Sequence, residues 1–349
     1  RHHSIYSSFF DSSSRNTHFR RINIKMKQKR FVEITGQFSS KKILVVGDLM
    51  MDTYMWGTSE RISPEAPVPI VHVTSVENNP GGAANVALNL ASLGVDVSVV
   101  GVVGEDSEGL VLKDLLSDTG INTDGIVRDA DRPTTVKARV ISQGHQVVRT
   151  DREVTWVLSD EVENSVVEAV ESHLSGLDGV ILQDYNKGFF GHDSLKRILE
   201  SLGKAKIPIY VDPKKDNFLN FRHVRYFKPN LNEFESALSA GYSPNQFETY
   251  GQNLREKLDA DIVMVTRSEK GSTLFTKDGM QTIPTQARKV HDVSGAGDTV
   301  ISVFTLADVS GATPEESANI ANLAAGRVCE EIGVVPITEA MLSDIYTHH

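Results

Sequence analysis

The sequence predicts a three-layer α/β fold in which helices cover both faces of a mainly parallel sheet, with a small β-sheet lid standing apart. Three observations predict it. After Asp160, short apolar runs alternate with stretches of helical periodicity, the pattern of repeated βα units. Two alternating segments, 134–142 and 146–151, flank the turn pair Gly144-His145, and 68–76 alternates in the same way. A chain of 349 residues, 40% hydrophobic and 23% charged, can bury a sizeable core as one large domain with an appendage.

In chain order, Lys41-Lys42 leads into an apolar run over 43–47 that Gly47 stops, which reads as a buried strand. The stretch from Asp52 to Glu77 alternates but holds Pro64, Pro67 and Pro69, so 68–76 is expected as an edge strand or hairpin arm. Pro80-Gly81-Gly82 is expected to start a helix over 83–93, ended by Gly94, and 97–100 to form a strand. A helix follows over 107–118, closed by Gly120. Beyond the hairpin, helices are expected at 161–174, 194–203, 232–240 and 247–258, and strands at 179–182, 207–211, 226–228, 262–266 and 272–275. Two long helical patterns, 295–309 and 314–332, follow. The lid is expected from about 52–78 and 126–152.

Residues 1–30 differ in kind. They are rich in Ser, Arg and His, with Asp11 the only acid, and lack the apolar centre of a secretory signal. They are expected to be a poorly ordered leader, either transit-like or foreign to the natural chain, with Met26 a candidate start. The formal net charge of -10 argues against a general nucleic-acid binder. No apolar run reaches the length of a membrane span. The single cysteine, Cys329, excludes an intramolecular disulfide and reads as a core residue; this usage suits the cytoplasm.

The strongest chemical signal is Asp292-Val293-Ser294-Gly295-Ala296-Gly297-Asp298-Thr299, small residues opening a long apolar helix. Small residues let a ligand approach the backbone. The first N–H groups of a helix have no internal acceptor and, with the helix dipole, attract an anion. A carboxylate beside an anion site is an unusual pairing, and a base for an incoming hydroxyl explains it. The alternative is a glycine-rich helix start with Asp298 as an ordinary first-turn acid.

Asp292 to Asp298 matches the D-x-x-G-A-G-D signature of the ribokinase-like (PfkB) carbohydrate kinases. Pro80-Gly81-Gly82-Ala83-Ala84-Asn85 is similar to the family's other signature, and Asn230-Leu231-Asn232-Glu233 resembles its N-x-x-E motif near metal and phosphates. The resemblance covers about 41–338, which is expected to form the kinase domain. Within the family, Ile62 to Pro69, Asp184-Tyr185-Asn186-Lys187-Gly188, Asp212-Pro213-Lys214 and Thr266-Arg267-Ser268-Glu269 resemble the heptose-7-phosphate kinases of lipopolysaccharide precursor synthesis. These phosphorylate O1 of D-glycero-D-manno-heptose 7-phosphate with ATP. Some carry a fused nucleotidyltransferase with an H-x-G-H motif; this chain shows no such motif and is expected to be the kinase half alone. Gln183 replaces a small polar residue and Val334 stands where Thr is usual, and both departures are expected to lie away from the chemistry.

The resemblance implies that Asp298 deprotonates the acceptor hydroxyl and that Gly295, Ala296 and Gly297 offer N–H groups to the phosphoryl group. Asp292 is either part of a monovalent-cation (K⁺) site or a plain N-cap. Asp48 and Asp52 follow the first strand, at the end where ligands of open α/β sheets bind, and carboxylates there accept from sugar hydroxyls. Gly82 and Asn85 are expected at the sugar. Lys137 and Arg139, two apart on one strand face, join Arg149 in a cationic hairpin that suits a phosphorylated sugar, or else is a solvated face. Asp184, Lys187 and Lys214 follow strand ends and are expected to line the same cleft, the lysines on phosphates. Asn230 and Glu233 are expected near Mg²⁺ through water. Thr266, Ser268 and Gly271 should edge ATP, with Asn322 at the adenine unless it is simply a polar helix residue. Dimerisation through the lid is expected from its exposed edge.

Two alternatives stand beside this reading: another kinase of the same fold, acting on ribose, fructose, a sugar phosphate or a nucleoside, and a sugar-sensing binder without catalysis. An intact Asp298 argues against the binder. Gly47-Asp48 does not continue into G-x-G-x-x-G, and no G-x-x-x-x-G-K-[ST] loop exists, which excludes the common dinucleotide and P-loop patterns.

Overall fold

The computed structural model describes residue 26 and residues 28–238, 243–285, 292–331 and 333–347. Helix α1 (Gln28–Thr35) precedes β1 (Lys42–Gly47). The chain then runs out through β2 (Leu49–Ile62), returns through β3 (Pro69–Gly82), and continues with α2 (Ala83–Ala91), β4 (Asp96–Gly104), α3 (Ser107–Asp118) and β5 (Asn122–Asp129). A second excursion is the hairpin β6 (Thr135–Ser142) and β7 (His145–Arg152). After it come α4 (Asp160–Ser172), β8 (Gly179–Gln183), α5 (His192–Ala205), β9 (Ile209–Asp212), β10 (Tyr226–Phe227), α6 (Leu231–Ala237) and α7 (Phe247–Leu258). The described chain ends with β11 (Ile262–Thr266), β12 (Ser272–Thr276), β13 (Gly279–Ile283), α8 (Ala296–Val309), α9 (Pro314–Val328) and α10 (Glu339–Thr347).

Nine strands form the large sheet in the order β13-β12-β11-β10-β9-β8-β1-β4-β5. It is parallel from β11 to β5, and β12 and β13 add an antiparallel edge. Successive strand side chains point to opposite faces, and β1 shows the result. Ile43 and Val45 join the core that α2, α8 and α9 cover, while Leu44 and Val46 join the core beneath α4, α5 and α7. Both faces are therefore buried, and the sheet's strands read as apolar runs rather than alternating ones. Helix starts follow local chemistry. Asp106 Oδ1 accepts from Gly109 N–H at 2.9 Å to cap α3, and Thr313, Pro314 and Glu316 build a capping box at α9.

The small sheet has the order β3-β2-β6-β7. Its strand β2 is buried from Leu49 to Tyr54, against the body, and open to solvent towards Ile62. The three layers and separate lid sheet are as the sequence predicts.

Several details differ. The stretch 68–76 is the edge strand and hairpin arm expected, within β3, but its partner β2 is not marked in the sequence because 52–62 lacks an apolar run; β2 pairs β3 from Leu49↔Gly82 to Ile62↔Pro69. Strand β3 runs through Pro80-Gly81-Gly82, with Gly82 at φ 58; α2 begins at Ala83 as expected and ends at Ala91, short of the expected 93. Residues 126–129, expected in the lid, belong to β5 at the edge of the large sheet; Asn122-Thr123-Asp124-Gly125 hides this strand because it lacks an apolar run. Strand β13 and helices α1 and α10 were not foreseen. Residues 28–30, assigned to a leader, begin α1: Phe31 and Ile34 are buried, and Arg30 pairs with Glu316 at 3.1 Å. The rest of that expectation, on residues 1–25 and 27, lies outside the described residues, as do the predicted helical residues 239–240 and 332.

Candidate active site

Asp298 sits in the first turn of α8 and is 5% exposed. Helix α8 starts there because Gly295 takes φ 77, a left-handed conformation that costs glycine little. Three donors converge on its carboxylate. Asn85 Nδ2 donates to Oδ2 at 2.7 Å, while Tyr185 Oη and Gln183 Nε2 donate to Oδ1 at 2.8 and 3.2 Å. These come from α2, from the residues after β8, and from the last residue of β8, so sheet and helix layers together aim the group. Burial lifts the Asp298 pKa to about 6; the Asn85 hydrogen bond opposes that rise, Asp212 reinforces it, and Tyr185 and Lys228 oppose it. Asp298 is therefore ionised at neutral pH and still basic enough to take a proton.

Beside it, the backbone donors expected at the start of α8 are not alike. Ala296 N–H reaches the Val293 carbonyl at 3.3 Å, whereas Gly297 is exposed and its N–H is a first-turn group without an intrahelical acceptor. A Cβ placed on Gly297 would come 3.6 Å from Lys228 Nζ, so an ammonium faces the same space. Lys228 is 3% exposed and pairs with Asp212 at 2.9 Å; Asp212 Oδ2 also accepts from Gln183 Nε2 at 3.1 Å.

A second buried carboxylate, Asp48, lies between β1 and β2. It accepts from the N–H groups of Tyr185 at 2.6 Å and Lys187 at 3.3 Å. Burial and then the nearby Asp184 charge push its pKa up to about 7, against those two hydrogen bonds. Asp184 is itself raised by burial, and its Oδ1 holds the Asn186 N–H at 2.8 Å. Gly82 must be glycine for two reasons: its φ of 58, and the Asp48 carbonyl only 2.6 Å from where a Cβ would stand. In the lid, Arg139 NH1 donates to Asp52 Oδ1 at 2.5 Å and its guanidinium lies over the Tyr54 ring. Lys187 Nζ reaches Glu153 at 2.8 Å, and Lys137 reaches Glu153 at 3.1 Å and Asp151 at 3.2 Å. Arg149 turns instead to Asp151 on its own strand and is half exposed.

On the other side of Asp298, Lys214 pairs with Glu233 Oε1 and packs over the Tyr185 ring. Burial lowers the Lys214 pKa, but Asp212 and Glu233 outweigh it and raise the value. The N-x-x-E motif has a structural role: Asn230 Oδ1 accepts Glu233 N–H at 2.9 Å and Glu233 Oε2 accepts Asn230 N–H at 2.8 Å, a capping box for α6. With both Glu233 oxygens engaged, direct metal ligation does not fit; contact through water does. Thr266 bridges to Asn230, Ser268 sits at φ 50, and Gly271 at φ 77 lies against the Ile283 carbonyl. The Asn322 amide bonds Ser272 Oγ at 3.0 Å and the Ile283 carbonyl at 3.4 Å, joining α9 to the β12–β13 edge. Asp292 Oδ1 accepts Ser294 N–H at 2.9 Å, so its local turn use is visible.

The two sequence departures do not lie away from the chemistry. Gln183 bonds both Asp298 and Asp212, because its long amide spans two strand ends that a small residue could not. Val334 Cγ1 stands 3.1 Å from a Cβ built on Gly295, under the helix start. Tyr185, Asp212 and Lys228 join the site beyond the residues that the sequence predicts for it. Lys228 had one available signal, a charge directly after the apolar pair Tyr226-Phe227 at a strand end.

The profile of the pfkB family carbohydrate kinases matches residues 40–340. The Bifunctional protein HldE of Shewanella piezotolerans is 41% identical over 322 residues, covering 89% of this chain and 65% of that protein. Its counterpart in Geobacter sulfurreducens is 38% identical, covering 90% and 65%. The chain thus spans about 65% of the length of these relatives. Among solved structures, phosphofructokinase-2 from Escherichia coli in complex with potassium superimposes with a TM-score of 0.74 at 19% identity, covering 88% of this chain and 98% of that one. The Arabidopsis thaliana ribokinase complexed with ribose and ATP gives 0.68 at 21% identity, covering 87% and 98%. Glycine loop, buried aspartate, fold and profile agree: the chain belongs to the pfkB family of carbohydrate kinases.

Proposed function

We propose that this chain transfers the γ-phosphoryl group of ATP to the O1 hydroxyl of D-glycero-D-manno-heptose 7-phosphate, yielding the 1,7-bisphosphate and ADP. The observation that carries the chemistry is the buried Asp298 carboxylate, held by Asn85, Tyr185 and Gln183 beside the open start of α8. The acceptor rests on the motif resemblance, on the HldE relatives and on the cationic residues at the lid.

The acceptor O1–H gives its proton to Asp298 as O1 forms its bond to the γ-phosphorus. The bond from that phosphorus to the β,γ-bridging oxygen breaks, and the electron pair leaves with ADP. The Gly297 N–H and the Lys228 ammonium meet the charge on the transferring group, an effect worth about 3 kcal/mol per well-placed donor. Asp48 accepts from a sugar hydroxyl, and Gly82 and Asn85 border the sugar. Lys214 faces the nucleotide phosphates, with Thr266, Ser268 and Gly271 edging the nucleotide. Mg²⁺, when bound, neutralises phosphate charge, held mainly by the nucleotide and water with Glu233 beyond the water. A monovalent cation beside Asp292 belongs to the same proposal; the potassium in the phosphofructokinase-2 structure is that protein's own.

In the same proposal the kinase domain spans 41–338 and works in the cytoplasm. No helix among the described residues is long and apolar enough to cross a membrane. The lid carries exposed Val73, Val76, Val147 and Val148, which suit pairing with a second copy. A monomeric mass by light scattering would reject that pairing.

The function is tested by ATP-dependent phosphorylation of the heptose 7-phosphate beside ribose, fructose, fructose 6-phosphate and adenosine. Preference for the heptose phosphate is expected. Preference for another acceptor would overturn the substrate, and sugar binding without transfer to any acceptor would overturn the kinase.

A further inference from the structure

Glu153 follows β7, where the chain leaves the lid on an irregular segment, 153–159. Its two carboxylate oxygens hold two ammonium groups from different parts of the molecule. Oε1 accepts from Lys187, in the body after β8, at 2.8 Å, and Oε2 accepts from Lys137, on β6 of the lid, at 3.1 Å. The side chains of both lysines are only 16% exposed and that of Glu153 is 25% exposed. The cluster abuts the candidate sugar site, since the Lys187 N–H bonds Asp48. Its loop is braced: Arg132 NH1 donates to the Lys187 carbonyl at 3.2 Å, Arg132 pairs with Asp129, and the Gly188 backbone packs against the Trp156 carbonyl. The other acid at Lys137, Asp151, has Arg149 as a second partner.

Two ammonium groups converging from lid and body make a ready anion site. A carboxylate offers them one charge, whereas a phosphomonoester offers close to two charges and three terminal oxygens. Lys187 and Lys137 also hold the Glu153 carboxyl below its usual range, outweighing the upward push of burial. Glu153 is the one member of the trio on neither a strand nor the Lys187 loop, and its segment is anchored at Trp156, whose carbonyl accepts from Arg132 NH2 at 2.8 Å, so exchange at the lysines needs only the Glu153 side chain to swing away.

We propose that Lys137 and Lys187 form the subsite for the distal phosphate of the acceptor, and that Glu153 occupies this subsite as an internal stand-in until substrate displaces it. This rests on the sugar-kinase reading but not on the identity of the sugar. An acceptor without a phosphate does not compete with Glu153 for the two lysines, so the stand-in sets the affinity of phosphorylated acceptors alone. It also ties lid to body in the absence of substrate, because the same carboxylate spans both.

The test is calorimetric binding of inorganic phosphate to the full chain, with the nucleotide site filled by a non-hydrolysable ATP analogue. If Glu153 fills the subsite about nine-tenths of the time, Glu153→Gln binds phosphate about tenfold more tightly than the wild type. Lys137→Ala and Lys187→Ala lose that binding. In kinetics, Glu153→Gln lowers KM for a phosphorylated acceptor by the same factor and leaves KM for its dephosphorylated form unchanged. Unchanged or weaker phosphate binding in Glu153→Gln, at a wild-type melting temperature, overturns the proposal. If that variant melts early, Glu153→Asp, one methylene shorter, is read in the same way. Failure of the heptose phosphate as an acceptor, with phosphate binding still tightened, overturns the substrate and leaves the subsite standing.

Discussion

Replacing Asp298 by Asn should separate the cost of a buried charge from its use. Asp298 is 5% exposed, and burial leads the causes that raise its pKa from 3.8 to about 6. The folded protein therefore holds this proton more tightly than the unfolded chain. The stabilising contribution is complete below pH 3.8 and is lost as the pH rises through 6. That rise corresponds to about 3 kcal/mol of strain from keeping the carboxylate ionised above pH 7. Asn carries no charge and removes it. The surroundings limit the gain: Tyr185, Gln183 and Asn85 are all donors towards the carboxylate, so the new amide nitrogen must face one of them. A mismatched buried pair costs about 1–2 kcal/mol. Urea unfolding should thus find Asp298→Asn about 1–2 kcal/mol more stable than the wild type at pH 8. The advantage should vanish at pH 4.5. Turnover should fall by about 10²–10⁴ above pH 7, where Asp298 is ionised, as for loss of a general base, and by less as the pH falls through 6 and the wild type loses its own base. The same stability difference at both pH values, or a variant destabilised at pH 8, would refute the buried-charge reasoning. Near-normal turnover would remove Asp298 from the role of base.

Tyr185→Phe removes a donor at 2.8 Å from the ionised Asp298. The acid limb of the kcat profile should move up by about one pH unit while the alkaline plateau stays near that of the wild type; an equal loss of turnover at all pH values would mean that the tyrosine is only structural. Gly297→Ala meets no obstacle nearer than Lys228 Nζ at 3.6 Å and improves helix propensity, so Tm should hold or rise while kcat drops at least about tenfold. Retained kcat would show that phosphate does not approach this turn. Lys228→Met strands Asp212, 5% exposed, and should cost about 3–5 kcal/mol in denaturant titration, most of it recovered by adding Asp212→Asn. No recovery in the double variant would mean that packing around Lys228, rather than the ion pair, sets the cost.

Local chemistry made much of the fold legible. The runs 43–47, 179–182 and 262–266 announce strands buried on both faces, and the helices 107–118 and 247–258 appear at their predicted limits because Asp106, Gly120 and their periodicity mark them. Strand β5 was hidden because an edge strand needs less apolar cover, and β2 because alternation and prolines look alike in a lid and in a loop.

The sequence by itself determined the helix start at 295–298, its small residues and the acid in its first turn, since spacing along one helix decides which groups share that end. It also set Asn230 three residues before Glu233, the spacing of a capping box, though it could not say that the cap would take Glu233 Oε2 while Lys214 takes Oε1. Only the tertiary structure decided what surrounds Asp298. Asn85 lies 213 residues away along the chain, Gln183 115 and Tyr185 113, and they meet because the ends of β1, β8, β9 and β10 open on one side of the sheet. The same convergence excludes water from Asp48 and Asp298, and that exclusion, a property of the packed layers and of no single residue, moves both carboxylates towards neutral pH.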